Sequence, residues 1–230
     1  SSSDGTVKVI NVATGAVRQV LKAGASPLAD VQFLPDGKTV ITFDRRGTAK
    51  LWEAATGRQT ATLSGLNSLD TFSPDGQTLA RVGGNSQILL FRWRKQPLGS
   101  PLVLRGHSLL VRAAAFSPDG RMLATGDDVG MVILWDVATG KEIGRLNSPS
   151  GGVSCLQFSP DGTVLAIGSG DGLVGLWERE AAPVPPGLRA AGDETALPSV
   201  VMREWRGLRG QTGRIFGLTF SRDGKTLAIG

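Results

Sequence analysis

The stretch "AFSPDGRMLATGDDVGMVILWDVATG", residues 115–140, holds three apolar segments separated by two compact polar turns. "SPDG" at 117–120 is a tight-turn sequence, with Pro and Asp pre-set for the turn and Gly free to take positive φ. "RMLATG" and "MVILWD" are too short for helices and rich in residues that suit a pleated sheet. "ATG" at 138–140 then reverses the chain toward a fourth strand.

The same order recurs along the 230 residues. "LPDG" at 34–37 returns as "SPDG" at 73–76, 117–120 and 159–162 and as "SRDG" at 221–224, so Asp36, Asp75, Asp119, Asp161 and Asp223 are spaced 39, 44, 42 and 62 residues apart. Each turn follows a stretch ending in Phe33, Phe72, Phe116, Phe158 or Phe220, and Trp52, Phe91, Trp135 and Trp177 each stand sixteen residues after a turn Asp. A repeat of about 42 residues with four short strands is one blade of a β-propeller. The units run 24–64, 65–105, 106–147 and 148–208, with 209–230 and 1–23 together supplying the fifth. That blade is split between the N- and C-termini. Two arrangements satisfy this phasing: a closed five-bladed ring, or part of a larger propeller.

"LRGH" at 104–107, "AFSPDG" at 115–120, "LATG" at 123–126 and "ILWDVATG" at 133–140 resemble the WD40 repeat family over nearly the whole chain. The resemblance implies an all-β, WD40-type β-propeller and a structural hydrogen-bond relay of His, Ser or Thr, Asp and Trp within a blade. His107, Thr125 and Trp135 match it; the Asp position falls on Val129, with Asp128 one residue early, so the relay is expected to be incomplete or shifted. In the other units Gln211 and Leu66 replace the His, and Ile167 replaces the hydroxyl.

The resemblance also implies a noncatalytic scaffold for protein–protein interaction. Its binding face would be formed by the turns between strands two and three and the turns entering strand one. Asp44, Arg45, Arg46, Asn85, Arg105, Ser108, Asp127, Asp128 and Arg214 fall there. Arg pairs bidentately with carboxylate or phosphate, so the expected partner is a protein or peptide segment of acidic or phosphorylated character. The alternative is a regulatory or sensor module of a larger multidomain enzyme, such as a protein kinase, whose catalytic domain lies outside these residues.

Composition narrows the other classes. A net charge of +5 is modest and spread along the chain, which argues against nucleic acid as partner. "FRWRK" at 91–95 is one basic aromatic patch, better suited to core packing of Phe91 and Trp93 than to stacking bases. Cys155 is the single cysteine and His107 the single histidine, so neither an internal disulfide nor a histidine-pair metal site is available. No cofactor, metal or catalytic residue is expected. No apolar run is long enough to span a bilayer, and the expected compartment is the cytoplasm. Residues 179–199, "REAAPVPPGLRAAGDETALPS", read as a surface loop inserted between two strands of one blade, on the face opposite the binding loops.

Overall fold

A computed structural model describes residues 4–24, 27–66, 69–83, 85–93, 100–179, 200–209 and 212–230. The 179–199 insertion therefore lies outside the described residues except for Arg179, as does Gln211. Every regular element described is a β-strand, and the strands form antiparallel meanders in chain order.

The first sheet pairs β1 (Thr6–Ile10) with β2 (Val17–Lys22). Four four-stranded sheets follow. They are β3 (Leu28–Phe33) to β6 (Gln59–Ser64) through β4 (Thr39–Asp44) and β5 (Thr48–Glu53), then β7 (Thr71–Phe72), β8 (Thr78–Val82), β9 (Ile88–Arg92) and β10 (Leu102–Leu104). Next come β11 (Val111–Phe116), β12 (Met122–Asp127), β13 (Met131–Asp136) and β14 (Glu142–Asn147), then β15 (Val153–Phe158), β16 (Val164–Ser169), β17 (Leu173–Arg179) and β18 (Met202–Arg209). The last sheet pairs β19 (Leu218–Phe220) with β20 (Leu227–Ile229). Among the described residues, β1–β2 and β19–β20 are separate two-stranded sheets with no ladder between them.

Alternation decides what each strand buries. In β12, Met122 and Ala124 face the following sheet, in a cluster with Val153, Leu156, Phe158, Leu165 and Ile167. Leu123 faces the preceding sheet, with Ala80, Ile88, Leu90, Ile133 and Trp135. Both faces of the second and third strands are covered, so these strands are apolar throughout rather than alternately polar. The same arrangement joins every neighbouring pair of sheets: β1–β2 to β3–β6 around Leu21, Val40 and Trp52, β3–β6 to β7–β10 around Phe43 and Leu79, and β15–β18 to β19–β20 around Val174 and Ile215. Sheets stacked face to face in sequence are the blades of a propeller.

The repeated "SPDG" turn is closed by its own side chains. Ser73, Ser117, Ser159 and Ser221 each donate from Oγ to the Asp two residues on, at 2.5–2.6 Å. Each Ser Oγ also accepts the backbone N–H five residues on, at 2.9 Å. The turn glycine is held at positive φ, +70° at Gly120, which a Cβ would strain. In the first unit Leu34 replaces the Ser, and Asp36 instead accepts the N–H groups of Lys38 and Thr39 and the Thr39 hydroxyl.

These turns make stability depend on acid. The Ser hydroxyl and the following N–H hold the carboxyls of Asp75, Asp161 and Asp223 below the ordinary Asp value. A group whose folded-state pKa is depressed binds its proton more readily when unfolded, so its contribution is present above about pH 4 and lost as pH falls through the folded-state value. The thermal midpoint is expected to fall steadily between about pH 4 and pH 2; a midpoint unchanged over that range would contradict the role of the turns.

Candidate functional site: the turn-bearing face of the blades

One end of the blades is built from a second repeated turn, between strands two and three. Its first residue accepts hydrogen bonds from further along the turn, and its fourth is a glycine. Asp44 Oδ1 accepts Arg46 N–H and Thr48 N–H, each at 2.8 Å, and Gly47 follows at φ +80°. Asp127 Oδ1 accepts Val129 N–H at 3.1 Å and Met131 N–H at 2.9 Å, with Gly130 at +92°. Ser169 Oγ accepts Leu173 N–H at 3.2 Å. The opening residue is thus committed to the fold, and the two residues after it face outward. Arg45 and Arg46 are exposed for this reason, as are Asp128 and Val129.

Asp127 serves the relay inside the blade, which corrects its assignment to the candidate binding face and the expectation of an incomplete or shifted relay with its Asp position at Val129. The Asp127 side chain is fully buried, and its Oδ2 lies 2.9 Å from His107 Nδ1. His107 Nε2 lies 2.8 Å from Thr125 Oγ1, and Trp135 Nε1 donates to that same oxygen at 2.8 Å. An indole N–H only donates and a carboxylate only accepts, so Trp135 donates to Thr125 and His107 Nδ1–H donates to Asp127, while His107 Nε2 pairs with the Thr125 hydroxyl. Both His107 nitrogens are consumed inside the blade. The usable signal was spacing, because Asp44, Asp127 and Ser169 each stand eight residues before their tryptophan.

Other units keep fragments of this relay. Trp52 Nε1 donates to Thr42 Oγ1 at 3.1 Å. At the matching place Ile167 has no oxygen to offer, and Trp177 Nε1 is the buried side-chain polar atom left without a partner among the described residues. Ile167→Thr should supply the acceptor. The gain from pairing the indole, about 1–3 kcal/mol, works against roughly 1 kcal/mol of lost apolar bulk and the cost of burying the hydroxyl, so in denaturant unfolding Ile167→Thr is expected to be at least as stable as Ile167→Val, the reverse of the usual order for a buried site. A Thr variant clearly less stable than the Val variant would mean that the hydroxyl does not pair with the indole.

Around the buried relay the structure assembles a charged and apolar surface. A register shift between Val111 and Ala113 bulges Arg112 out of β11, and bulges re-aim side chains. Arg112 then grips Asp128 with both ends of its guanidinium, Nε to Oδ1 at 2.6 Å and Nη2 to Oδ2 at 2.9 Å. That hydrogen bonding holds the Asp128 carboxyl below its ordinary value, with attraction from Arg112 and Arg214 adding to it. Arg214 comes from the loop entering β19, and its guanidinium lies 5.8 Å from the centre of the Phe216 ring. Leu109, Leu110 and Val129 are 43%, 43% and 60% exposed beside these charges. Arg105, Ser108 and Asn85 are exposed on the corresponding loops, whereas Asp44 is half-buried as a turn acceptor. Arg45 and Arg46 belong to the β4–β5 turn, two sheets away from Arg112 and Asp128.

Arg112 was missed from sequence because a bulge is a property of pairing register. Cys155 is partly buried, and burial pushes its thiol up from the ordinary value. Among the described residues no group of three or more His, Cys, Asp or Glu could hold a metal ion, and no helix is long and apolar enough to cross a membrane.

Stacked four-stranded meanders, a Trp-to-Asp relay and two families of capped turns define a repeat β-propeller. The family model for the WD domain, G-beta repeat, matches residues 140–178, and that for the anaphase-promoting complex subunit 4 WD40 domain matches residues 70–158. The chain belongs to the WD40-repeat family. Apoptotic protease-activating factor 1 of Rattus norvegicus is 31% identical over 145 residues, covering 61% of this chain and 11% of that protein. Nuclear distribution protein nudF of Aspergillus niger is 25% identical over 182 residues, covering 68% of this chain and 40% of its own length. The chain thus spans less than half of each of these relatives. A chain in the crystal structure of the mitotic checkpoint complex superposes with a TM-score of 0.76 at 18% identity, over 99% of this chain and 66% of that one.

Proposed function

We propose that this chain is a noncatalytic scaffold whose turn-bearing face docks an acidic or phosphorylated segment of a partner protein. The carrying observation is the β4–β5 turn, where Asp44 and Gly47 fix the backbone and leave two adjacent arginines, Arg45 and Arg46, exposed on a rigid base. Guanidinium pairs are suited to bidentate capture of carboxylate or phosphate. The Arg112–Asp128 pair with Leu109, Leu110 and Val129 offers a second contact of mixed character, typical of an interface rim beside an apolar anchor.

A cytoplasmic setting fits this reading. A role as the regulatory module of a larger enzyme, such as a protein kinase, would turn the same face toward another domain of that polypeptide.

The test is a peptide array carrying Glu-rich and phosphoserine sequences, probed with the native chain and with Arg45→Ala/Arg46→Ala. Loss of at least tenfold in binding to acidic or phosphorylated peptides is expected, about 1.4 kcal/mol or more. Unchanged binding, or a native chain indifferent to peptide charge, would reject the proposed face.

A further inference from the structure

The β7–β10 sheet has lost the buried relay entirely. Leu66, Gly83 and Phe91 stand where His107, Asp127 and Trp135 stand in β11–β14, and Leu66 and Phe91 pack with Phe43 and Leu79 instead. The fourth place, ten residues before the aromatic, holds a buried Thr42, Thr125 or Ile167 in the other four-stranded sheets. Here it is Arg81, half-buried on β8. Alternation with Leu79 turns Arg81 toward the β3–β6 sheet. Its guanidinium lies against Gly65, just past β6: a Cβ on Gly65 would overlap Arg81 Nη2 and stand 3.3 Å from its Cζ. Gly65 N–H in turn donates to Gly47 O at 2.8 Å, and Gly47 closes the turn that carries Arg45 and Arg46. Arg81 therefore reaches the base of the arginine turn from the neighbouring sheet.

We propose that Arg81 makes this place selective for a phosphorylated side chain of a partner segment, with Arg81 holding the phosphate from below and Arg46 from the rim. The inference rests on the reading that the arginine turn docks an anionic segment, and it names which anion. Among the described residues Arg81 makes no hydrogen bond and no ion pair. A guanidinium drawn partly out of water without a partner is costly to the fold, and an incoming anion recovers that cost. Charge attraction is also stronger at such a half-buried group than at a fully solvated arginine.

The count of oxygens selects phosphate over carboxylate. A carboxylate has two oxygens, and one guanidinium fork engages both. A phosphate monoester presents three terminal oxygens and a charge of about −1.5 to −2 at neutral pH, so it has a site left for a second guanidinium on another sheet. Asp44, the carboxylate of the turn, attracts Arg46 but spends its Oδ1 on Arg46 N–H and Thr48 N–H. Three arginines against that one carboxylate leave the place positive. In β3–β6 and β11–β14 the threonine at the position of Arg81 is committed to a tryptophan, so the recessed cation belongs to the β7–β10 sheet.

The experiment follows the arginine Nε–H resonances of the full chain, with that of Arg81 assigned through Arg81→Thr, the residue that Thr42 and Thr125 supply at this position. The probes are blocked alanine peptides carrying phosphoserine, glutamate or serine at the centre, and inorganic phosphate. The phosphoserine peptide is expected to move the Arg81 signal saturably with a dissociation constant on the order of 1 mM. The glutamate peptide should bind at least about tenfold more weakly, and the serine peptide should move nothing. Arg81→Thr should bind the phosphoserine and glutamate peptides within about twofold of each other, read at Arg45 and Arg46. Equal affinity of the native chain for phosphoserine and glutamate would overturn this inference and leave acidic docking standing. Movement of Arg45 and Arg46 with Arg81 unmoved would overturn the role of Arg81. Inorganic phosphate binding as tightly as the phosphoserine peptide would overturn a partner segment in favour of a free anion. No movement of any of the three arginines with any probe to about 20 mM would overturn both this inference and the arginine-turn reading. The probe comparison uses the native chain, so it stands even where the variant fails to fold.

Discussion

Asp127→Ala is expected to destabilise the chain by about 3–5 kcal/mol, the range for removing one member of a buried hydrogen-bonded group. The loss has three parts. Val129 N–H and Met131 N–H lose the oxygen that closes the β12–β13 turn, His107 Nδ1 loses its acceptor inside the blade, and a cavity remains. Denaturant unfolding with the slope held in view checks this, because an unchanged slope with a lower midpoint reports stability alone. Asp127→Asn separates the contributions: its Oδ1 can still serve the turn, and if the amide oxygen does so, its NH₂ faces the His107 N–H as a second donor. An effect below about 1 kcal/mol for Asp127→Ala would mean that water replaces the carboxylate.

Gly126→Ala should be costly for a different reason. A Cβ on Gly126 would lie 2.5 Å from Val153 Cγ1 and 2.7 Å from Val153 Cβ, and Val153 is itself buried at the junction between two sheets. Side chains in so packed a place cannot retreat, and overpacking costs about 1–3 kcal/mol. Val153→Ala alone opens a void at the same point. The double variant Gly126→Ala/Val153→Ala removes the Cγ clashes but keeps the 2.7 Å approach to the Cβ of residue 153, so it should lose less stability than the two singles together, with a coupling of about 1 kcal/mol. Simple additivity would show that the sheets shift apart rather than clash locally.

The repeat was legible because its turns carry chemistry at fixed intervals. Ser117, Asp119 and Gly120 form a closed set of bonds within a few residues, so the residues that make the turn also announce it. The blade order followed from the tryptophan spacing, and the substitution at Ile167 has a visible consequence in the unpartnered Trp177 indole. Arg112 was not legible, because its projection depends on a one-residue mismatch between β11 and β12. Asp127 was misplaced because "GDDVG" offers two acidic residues, and only the turn geometry says which one opens it.

In the capped turns between strands two and three, the first and fourth positions close the turn, while the middle pair makes contacts that differ from blade to blade, such as Asp128 with Arg112 and Asp171 with Ser150 and Ser169. Arg45–Arg46, Asp128–Val129 and Gly170–Asp171 occupy equivalent places with opposite charges and unlike sizes. Exposed substitutions of that kind ordinarily alter stability by less than about 0.5 kcal/mol. On the proposed function, changes at those sites would alter what the face binds one turn at a time while the folded scaffold persists.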